Sequence, residues 1–305
     1  MLNTSPIVLN CFSRGGSNIL WNYFLSHPDV CHPIEETLQI FSTSIKVPRS
    51  EGFKVAWMEK RFLFNQWNFN NRMPVSSKTA KYIDDVLYKR KLGNLFDQDM
   101  KYKLENKLYT KNEVEKSRLV LKNNNGLTFC SNLFLKIFPD TTFIGLVRHP
   151  IALYESHKRR KTPVAESLNT FTNYYKKMVE KMLNDKESIP NYHIIKFEEL
   201  LTSPIESIKK LNRGRCLKKL YGWAQLEFSM IRKIRLKAKP SMNEDGVHLT
   251  LLKENKHYWF SFVELGEYLD TDVNKHQVSR LEQIEKESLI KSLREVMPKI
   301  GYHDF

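Results

Sequence analysis

Short apolar runs alternate with amphipathic segments along most of this chain. The apolar runs lie at about 6–12, 118–122, 142–147 and 192–197, and their length and composition are typical of buried strands. Between them, apolar residues recur at helical spacing, which predicts helices at about 17–26, 129–137, from 150 onward, and 164–184. Strands and helices alternate in this way when a parallel sheet carries helices on both faces. The pattern therefore predicts a three-layer α/β fold in a single domain covering residues 1–305.

Two regions do not follow this alternation. The stretch at about 53–116 is irregular and rich in aromatic residues and lysine. Its aromatic side chains belong either to the core or to the wall of a pocket: Phe53, Trp57, Phe62, Phe64, Trp67 and Phe69. The C-terminal part is predicted to be largely helical, and its apolar positions are Val278, Leu281, Ile284, Leu289, Leu293 and Val296.

The composition is that of a protein with a packed core. Of the 305 residues, 41% are hydrophobic and 12% are aromatic, which is ample for a buried interior. The first residues show no signal-peptide pattern, and no apolar run is long enough to span a bilayer, so we expect a cytoplasmic protein. The cysteines show no CxxC spacing, and we expect them to be reduced and structural, with no metal site: Cys11, Cys31, Cys130 and Cys216.

The net charge of +15 suits an anionic partner. Nucleotides, nucleic acids and acidic membranes all meet this description, and much of the excess comes from scattered lysines typical of a solvated face. Nucleic-acid binding would call for aromatic residues interleaved with basic ones, and the sequence shows no such pattern. We therefore expect a small-molecule partner and neither nucleic acid nor membrane. The sequence is compatible with a homodimer.

The first chemical motif follows the strand at 6–12 and has the sequence Ser13-Arg-Gly-Gly-Ser-Asn18. The glycines at 15 and 16 allow backbone N–H groups to approach an anion, while Ser17 and Asn18 can donate from the start of a helix. Arg14 adds a fork of donors. The motif resembles a phosphate loop without being a Walker A sequence. The alternative is a tight connection without a ligand.

The second motif follows the strand at 142–147. Arg148 is expected at the tip of the strand, and Ser156 and Arg160 lie four residues apart on the next helix, hence on one face. These three residues could converge on one phosphate group. The alternative is a surface serine with solvated arginines. Two anion sites on one sheet indicate a nucleotide with phosphates at both ends.

These motifs together resemble those of the sulfotransferases that use 3′-phosphoadenosine 5′-phosphosulfate (PAPS) as donor. Ser13-Arg-Gly-Gly-Ser-Asn18 is similar to their 5′-phosphosulfate loop, and Leu146-Val-Arg-His-Pro-Ile-Ala-Leu-Tyr-Glu-Ser156 is similar to their 3′-phosphate motif. The resemblance covers about 5–40, 118–210 and 275–302. It implies a P-loop-like parallel sheet, PAPS as donor, and 3′-phosphoadenosine 5′-phosphate (PAP) as product. Residues 45–117 are then the expected insertion or lid at the acceptor site.

Within that family, the segment ending in Glu35-Glu36-Thr37 is most similar to the tyrosylprotein and carbohydrate branch. The resemblance implies Glu36 as general base, with Arg14 and Lys122 stabilising charge on the transferring group. Glu35 and His32 remain alternative bases. Sulfuryl transfer needs fixed cationic and backbone donors, and these can suffice without a metal. We expect a hydroxyl or amine acceptor on a small natural product.

Three other functions compete with this hypothesis. The acceptor could be a glycan or a protein tyrosine. A P-loop small-molecule kinase would need a lysine in the loop and a magnesium-binding carboxylate, neither of which is evident in the sequence. A nucleic-acid-binding protein would use the net charge, with an affinity that falls steeply with salt.

Overall fold

Five parallel strands form the central sheet in the computed structural model of the chain. The structure describes residues 1–33, 36–40, 76–96, 109–204, 206–207, 233–237 and 257–303. The strands are β1 Ile7–Cys11, β2 Val30–Cys31, β3 Arg118–Asn124, β4 Thr142–Val147 and β5 Tyr192–Lys196. Their order across the sheet is β2-β3-β1-β4-β5, and every neighbouring pair is parallel. The predicted α/β fold is confirmed.

Helices follow or separate these strands along the described residues. They are α1 Ser17–Leu25, α2 Thr37–Gln39, α3 Ser77–Leu92, α4 Lys111–Lys116, α5 Ser131–Ile137, α6 Pro150–Arg159, α7 Leu168–Ser188, α8 Phe197–Thr202, α9 Phe262–Tyr268, α10 Val273–Val278 and α11 Gln283–Leu293. Two further strands, β6 Ile234–Lys237 and β7 His257–Phe260, form an antiparallel pair.

The helices cover both faces of the sheet, and strand β1 shows why. Val8 of β1 and Phe12, which follows the strand directly, belong to one hydrophobic core with residues of α3, α5, α6, α7 and α11. Ile7, Leu9 and Cys11 belong to a second core with residues of α1, α8, β6, β7 and α9. Successive side chains of a strand point to opposite faces, so a strand that is buried along its whole length contributes to both cores.

The stretch at 53–116 is not irregular throughout, because it contains α3 and α4. Helix α3 is strongly basic, and its apolar contribution is concentrated in Ile83 and Leu87, which are four residues apart and buried. Helix α4 begins with a capping box in which the side chains of Thr110 and Glu113 satisfy each other's backbone N–H groups. The predicted aromatic wall at 53–69 and Cys216 lie outside the described residues.

Within the described residues, the C-terminal part is largely helical, as predicted, and it also contains the β6–β7 pair. Two other local predictions were wrong. Strand β3 runs past 122 to Asn124, because the buried Asn123 continues the pairing with β1. Ile284 is 68% exposed, whereas the other apolar positions predicted for the C-terminal helices are buried.

Candidate functional site

The predicted site residues follow the carboxyl ends of neighbouring strands. The loop at 12–16 follows β1, the turn beginning at Asn125 follows β3, and Arg148 follows β4. Because all five strands are parallel, these segments meet at one edge of the sheet. Ligands of open α/β sheets bind at this edge.

The loop after β1 has an unusual backbone. Arg14 has a φ of 62° and Gly16 a φ of 86°, both in the left-handed region. This region costs a non-glycine residue about 1–2 kcal/mol. A Cβ atom on Gly16 would also lie 2.0 Å from the ring of Phe197, so the position requires glycine. Left-handed residues in such a turn bring successive N–H groups to one side, which suits an anion.

Helix α1 begins at this loop with no side-chain cap. The N–H groups of Gly16, Ser17 and Asn18 donate no hydrogen bond to any described residue. A helix N-terminus carries about half a positive charge, and uncapped N–H groups there readily bind an anion. This backbone suits the predicted phosphate loop, and the binding of an anion there stays a prediction.

Arg148 connects the two predicted anion sites. Its guanidinium is fully buried, lies 4.4 Å from the Phe197 ring centre, and donates from Nη1 to the Arg14 carbonyl at 2.8 Å. Nε donates to Asn274 Oδ1 at 2.9 Å, and Nη2 donates to Gln277 Oε1 at 2.6 Å. In this geometry Arg148 thus donates hydrogen bonds to three oxygen atoms of the chain itself.

The predicted serine of the second motif contacts the first. Ser156 is fully buried, and its Oγ accepts a hydrogen bond from Arg14 Nε at 3.4 Å. Arg160 is exposed at the C-terminal cap of α6. The structure therefore brings Arg14, Arg148 and Ser156 together, with Arg160 at the surface end of the same helix.

A second group of polar side chains lies around Lys122, beside the first turn of α1. Its ammonium lies 2.6 Å from Glu36 Oε1 and donates to Asn18 Oδ1 at 2.8 Å. It also lies 4.6 Å from the ring centre of Trp21. The Lys122 side chain is 2% exposed and that of Glu36 is 40% exposed, so the carboxylate is the accessible member of the pair.

Of the two alternative bases, the structure describes only His32. Glu35 lies outside the described residues. His32 is fully buried, and its ring packs edge-on against Trp21 with centroids 5.4 Å apart. A base must reach the proton that it removes. Among the described candidates, Glu36 combines access to solvent with contact to Lys122.

Three site residues escaped the sequence analysis. Asn124 donates from Nδ2 to Glu36 Oε2 at 3.1 Å. Asn125 and His157 both contact Ser13 of the phosphate loop, at 2.9 Å each. The polar run that follows Lys122 looked only like a strand end, yet consecutive polar residues at the carboxyl end of a central strand were a usable signal.

His157 is held in its neutral form. Burial lowers the pKa of its imidazole from the ordinary 6.5 to about 3, with Arg14 and Arg148 contributing and the hydrogen bond to Ser13 acting in the opposite direction. Burial also lowers the pKa of His149 to about 3, and the charge of Arg148 adds to the effect. Neither histidine carries a charge at neutral pH in the folded chain.

These histidines predict a loss of stability in acid. Between about pH 6.5 and about pH 3, the two imidazoles are protonated in the unfolded chain and neutral in the folded chain. The free energy of unfolding should therefore fall as the pH drops through this window, by up to about 1.4 kcal/mol per pH unit for each histidine. Denaturant unfolding of the wild type and His157→Gln between pH 7 and pH 4 checks this. The variant should show a shallower fall, and equal slopes would contradict the prediction.

Other properties of the described residues can be stated briefly. Cys11, Cys31 and Cys130 are buried and form no disulfide among the described residues, and burial raises the pKa of the Cys11 thiol to about 12. Within the described ranges, no three His, Cys, Asp or Glu side chains are grouped so that they could hold a metal ion. The described helices include none with the length and apolar character needed to cross a membrane.

Comparison with known proteins gives one family match. The model of the sulfotransferase family matches residues 6–214, and no curated protein matches the sequence. Among solved structures, the chain is similar to the sulfotransferase domain of the curacin biosynthetic pathway, at 15% identity, with 99% of each chain covered and a TM-score of 0.46. It is similar to the sulfotransferase domain of the Synechococcus PCC 7002 olefin synthase, at 16% identity, 96% of each chain and a TM-score of 0.46. A Mycobacterium avium sulfotransferase is 14% identical over 98% of this chain and 78% of its own, with a TM-score of 0.40.

Proposed function

The chain belongs to the sulfotransferase family, and on this basis we propose that it transfers a sulfuryl group from PAPS to a small-molecule acceptor. The acceptor is a hydroxyl or amine of the natural-product class, and Glu36 is the general base. One observation carries the proposal. The pair of Lys122 and Glu36 lies directly against Asn18, in the first turn of the helix whose uncapped N-terminus follows the phosphate loop.

The residues present fit a donor with an anionic group at each end. The left-handed turns at Arg14 and Gly16 and the uncapped N-terminus of α1 suit the 5′-phosphosulfate. Arg148, Ser156 and Arg160 are assigned to the 3′-phosphate. For Arg148 this means exchanging the neutral amide oxygens of Asn274 and Gln277 for phosphate oxygens, which are stronger acceptors because they are charged.

The donor supplies a sulfuryl group activated by its link to phosphate. The acceptor atom forms a bond to sulfur as the bond between sulfur and the 5′-phosphate oxygen breaks, and that oxygen keeps the electron pair. Glu36 takes the proton that the acceptor loses, a role commonly worth about 10²–10⁴ in rate. Lys122 and Arg14 stabilise the charge that develops on the departing side, at about 3 kcal/mol for each well-placed donor.

Calorimetric titration with nucleotides tests the donor assignment. PAP should bind at least about 100-fold more tightly than ATP without magnesium, because ATP lacks the 3′-phosphate that the second anion site binds. Adenosine 5′-phosphosulfate serves as the control, since it has the sulfated end alone. A preference for ATP with magnesium would contradict the proposal and favour a small-molecule kinase.

The acceptor class needs a separate test. Transfer from labelled PAPS should be followed with small alcohols, phenols and amines, next to an oligosaccharide and a tyrosine peptide. We expect labelled product from the small molecules. Transfer only to the oligosaccharide or the peptide would keep the sulfotransferase mechanism and replace the proposed acceptor.

A further inference from the structure

The Ser13 residue of the phosphate loop is held from both sides. Its N–H donates to Asn125 Oδ1 at 2.9 Å, and its carbonyl lies 2.9 Å from His157 Nε2. A carbonyl can only accept, so Nε2 carries the imidazole proton. Nδ1 is then the acceptor for the Thr162 hydroxyl, at 2.7 Å. Both ring nitrogens of His157 are used in a single tautomer.

Holding Ser13 fixes the peptide groups of the loop. Because peptides are planar and trans, a carbonyl fixed by His157 directs the Arg14 N–H to the opposite side. Arg148 holds the next carbonyl, that of Arg14, at 2.8 Å. The Phe12 carbonyl accepts from the Gly15 N–H at 3.1 Å. Successive peptides are thereby oriented through the strained turn at Arg14.

The two residues that hold Ser13 are themselves fixed by separate elements. Asn125 has a φ of 54°, a region that asparagine tolerates, and its Oδ1 also accepts from the Tyr174 hydroxyl of α7 at 2.8 Å. His157 is fully buried in α6, directly after Ser156. The loop is therefore tied to the segment after β3 and to the helix of the second anion site.

We propose that Asn125 and His157 form a clamp on Ser13 that positions the phosphate loop for the 5′-phosphosulfate end of the donor. The inference rests on the proposed function. Neither residue needs to touch the ligand, so both are positioning residues. They hold the left-handed turn at Arg14 in a conformation in which successive backbone N–H groups point to one side, before the donor binds. A preformed site binds more tightly because less ordering is left for the binding step.

A pair of nucleotides separates this role from general structural support. PAP has phosphates at both ends, whereas adenosine 3′-phosphate lacks the 5′ group that the loop holds. Loss of the clamp should lower the affinity for PAP and leave the affinity for adenosine 3′-phosphate unchanged. Damage to the whole site would weaken both. The measured quantity is the ratio of the two dissociation constants, obtained by calorimetry, with thermal unfolding recorded for every variant.

Two substitutions remove the clamp. His157→Leu removes the donor to the Ser13 carbonyl, and Asn125→Gly removes the acceptor for the Ser13 N–H while leaving the left-handed backbone unstrained. Each should lower the affinity for PAP by about tenfold or more, as expected for one lost hydrogen bond to a half-buried backbone group. Affinity for adenosine 3′-phosphate should stay within about twofold. His157→Gln keeps a donor near the position of Nε2 and should recover most of the PAP affinity.

The controls remove neighbouring hydrogen bonds that do not reach Ser13. Thr162→Val deletes the contact to His157 Nδ1, and Tyr174→Phe deletes the second contact to Asn125. Both should stay close to the wild-type ratio, because Asn125 and His157 keep their hydrogen bonds to Ser13. Loss of a buried imidazole can unfold the chain. The single variant Asn125→Gly, compared with its control Tyr174→Phe, therefore carries the test independently of His157.

The outcomes are distinct. A wild-type chain with equal affinity for both nucleotides would overturn the proposed function, and the clamp with it. A wild-type chain that prefers PAP, with clamp variants that keep its full ratio or lose affinity for both nucleotides equally, would overturn the clamp alone.

Discussion

Glu36→Gln should lower kcat by at least about 10²-fold while the affinity for PAP changes by less than about threefold. Glutamine has the shape of glutamate and keeps an oxygen for the Lys122 ammonium, which lies 2.6 Å from the carboxylate. Asn124 can adapt, because its Oδ1 has no partner among the described residues, and rotation of the amide would offer that oxygen to the new NH₂ group. The variant therefore loses the proton acceptor, while the contacts with Lys122 and Asn124 can be kept.

The measurement is the rate of PAP release with the best acceptor of the panel, beside calorimetry with PAP on the same preparation. Asn124→Ala is the matched control. It removes the hydrogen bond to Glu36 Oε2 and keeps the carboxylate, so its effect on kcat should be far smaller. Full activity of Glu36→Gln would exclude Glu36 as the base and direct attention to Glu35 and His32.

The parts of the site that the sequence predicted are those encoded in short segments. The apolar runs of β1 and β4 predicted strands because both faces of the central strands are buried. The loop at 13–18 predicted an anion site because a close backbone approach requires glycine, and Gly16 meets both criteria, a positive φ and no room for a Cβ atom. Each of these properties belongs to a few consecutive residues.

The contacts between distant segments could not be predicted in this way. His157 is 144 residues from Ser13, and Gln277 is 129 residues from Arg148. Both contacts depend on how α6 and α10 pack at the edge of the sheet, which no local pattern specifies. Helix α3 was not predicted for a related reason. Its sequence is mostly polar and basic, and its buried apolar face is as small as Ile83 and Leu87, which is too short a periodic pattern to indicate a helix.

Arg148→Met should weaken PAP binding by at least about 100-fold, the largest effect that we expect on donor affinity. Methionine fills much of the space of the arginine and removes the guanidinium. The charge-assisted contact assigned to the 3′-phosphate is then lost, together with the hydrogen bond to the Arg14 carbonyl. The oxygen atoms of Arg14, Asn274 and Gln277 also lose a charged donor in a fully buried place. The free energy of unfolding should fall by at least about 3 kcal/mol, measured in denaturant.

Adenosine 5′-phosphate tells the two roles of Arg148 apart, because it lacks the 3′-phosphate. If Arg148 binds that group, Arg148→Met should weaken PAP far more than adenosine 5′-phosphate, for which we expect less than about a tenfold loss through the Arg14 carbonyl. Equal losses for both nucleotides would mean that Arg148 acts only by holding the loop. Unchanged PAP affinity in a folded variant would exclude Arg148 as a ligand of the 3′-phosphate and contradict the assignment of that group to the second anion site. The 3′ end of the donor would then have to be held elsewhere, and the proposed orientation of the nucleotide along the sheet edge would be wrong.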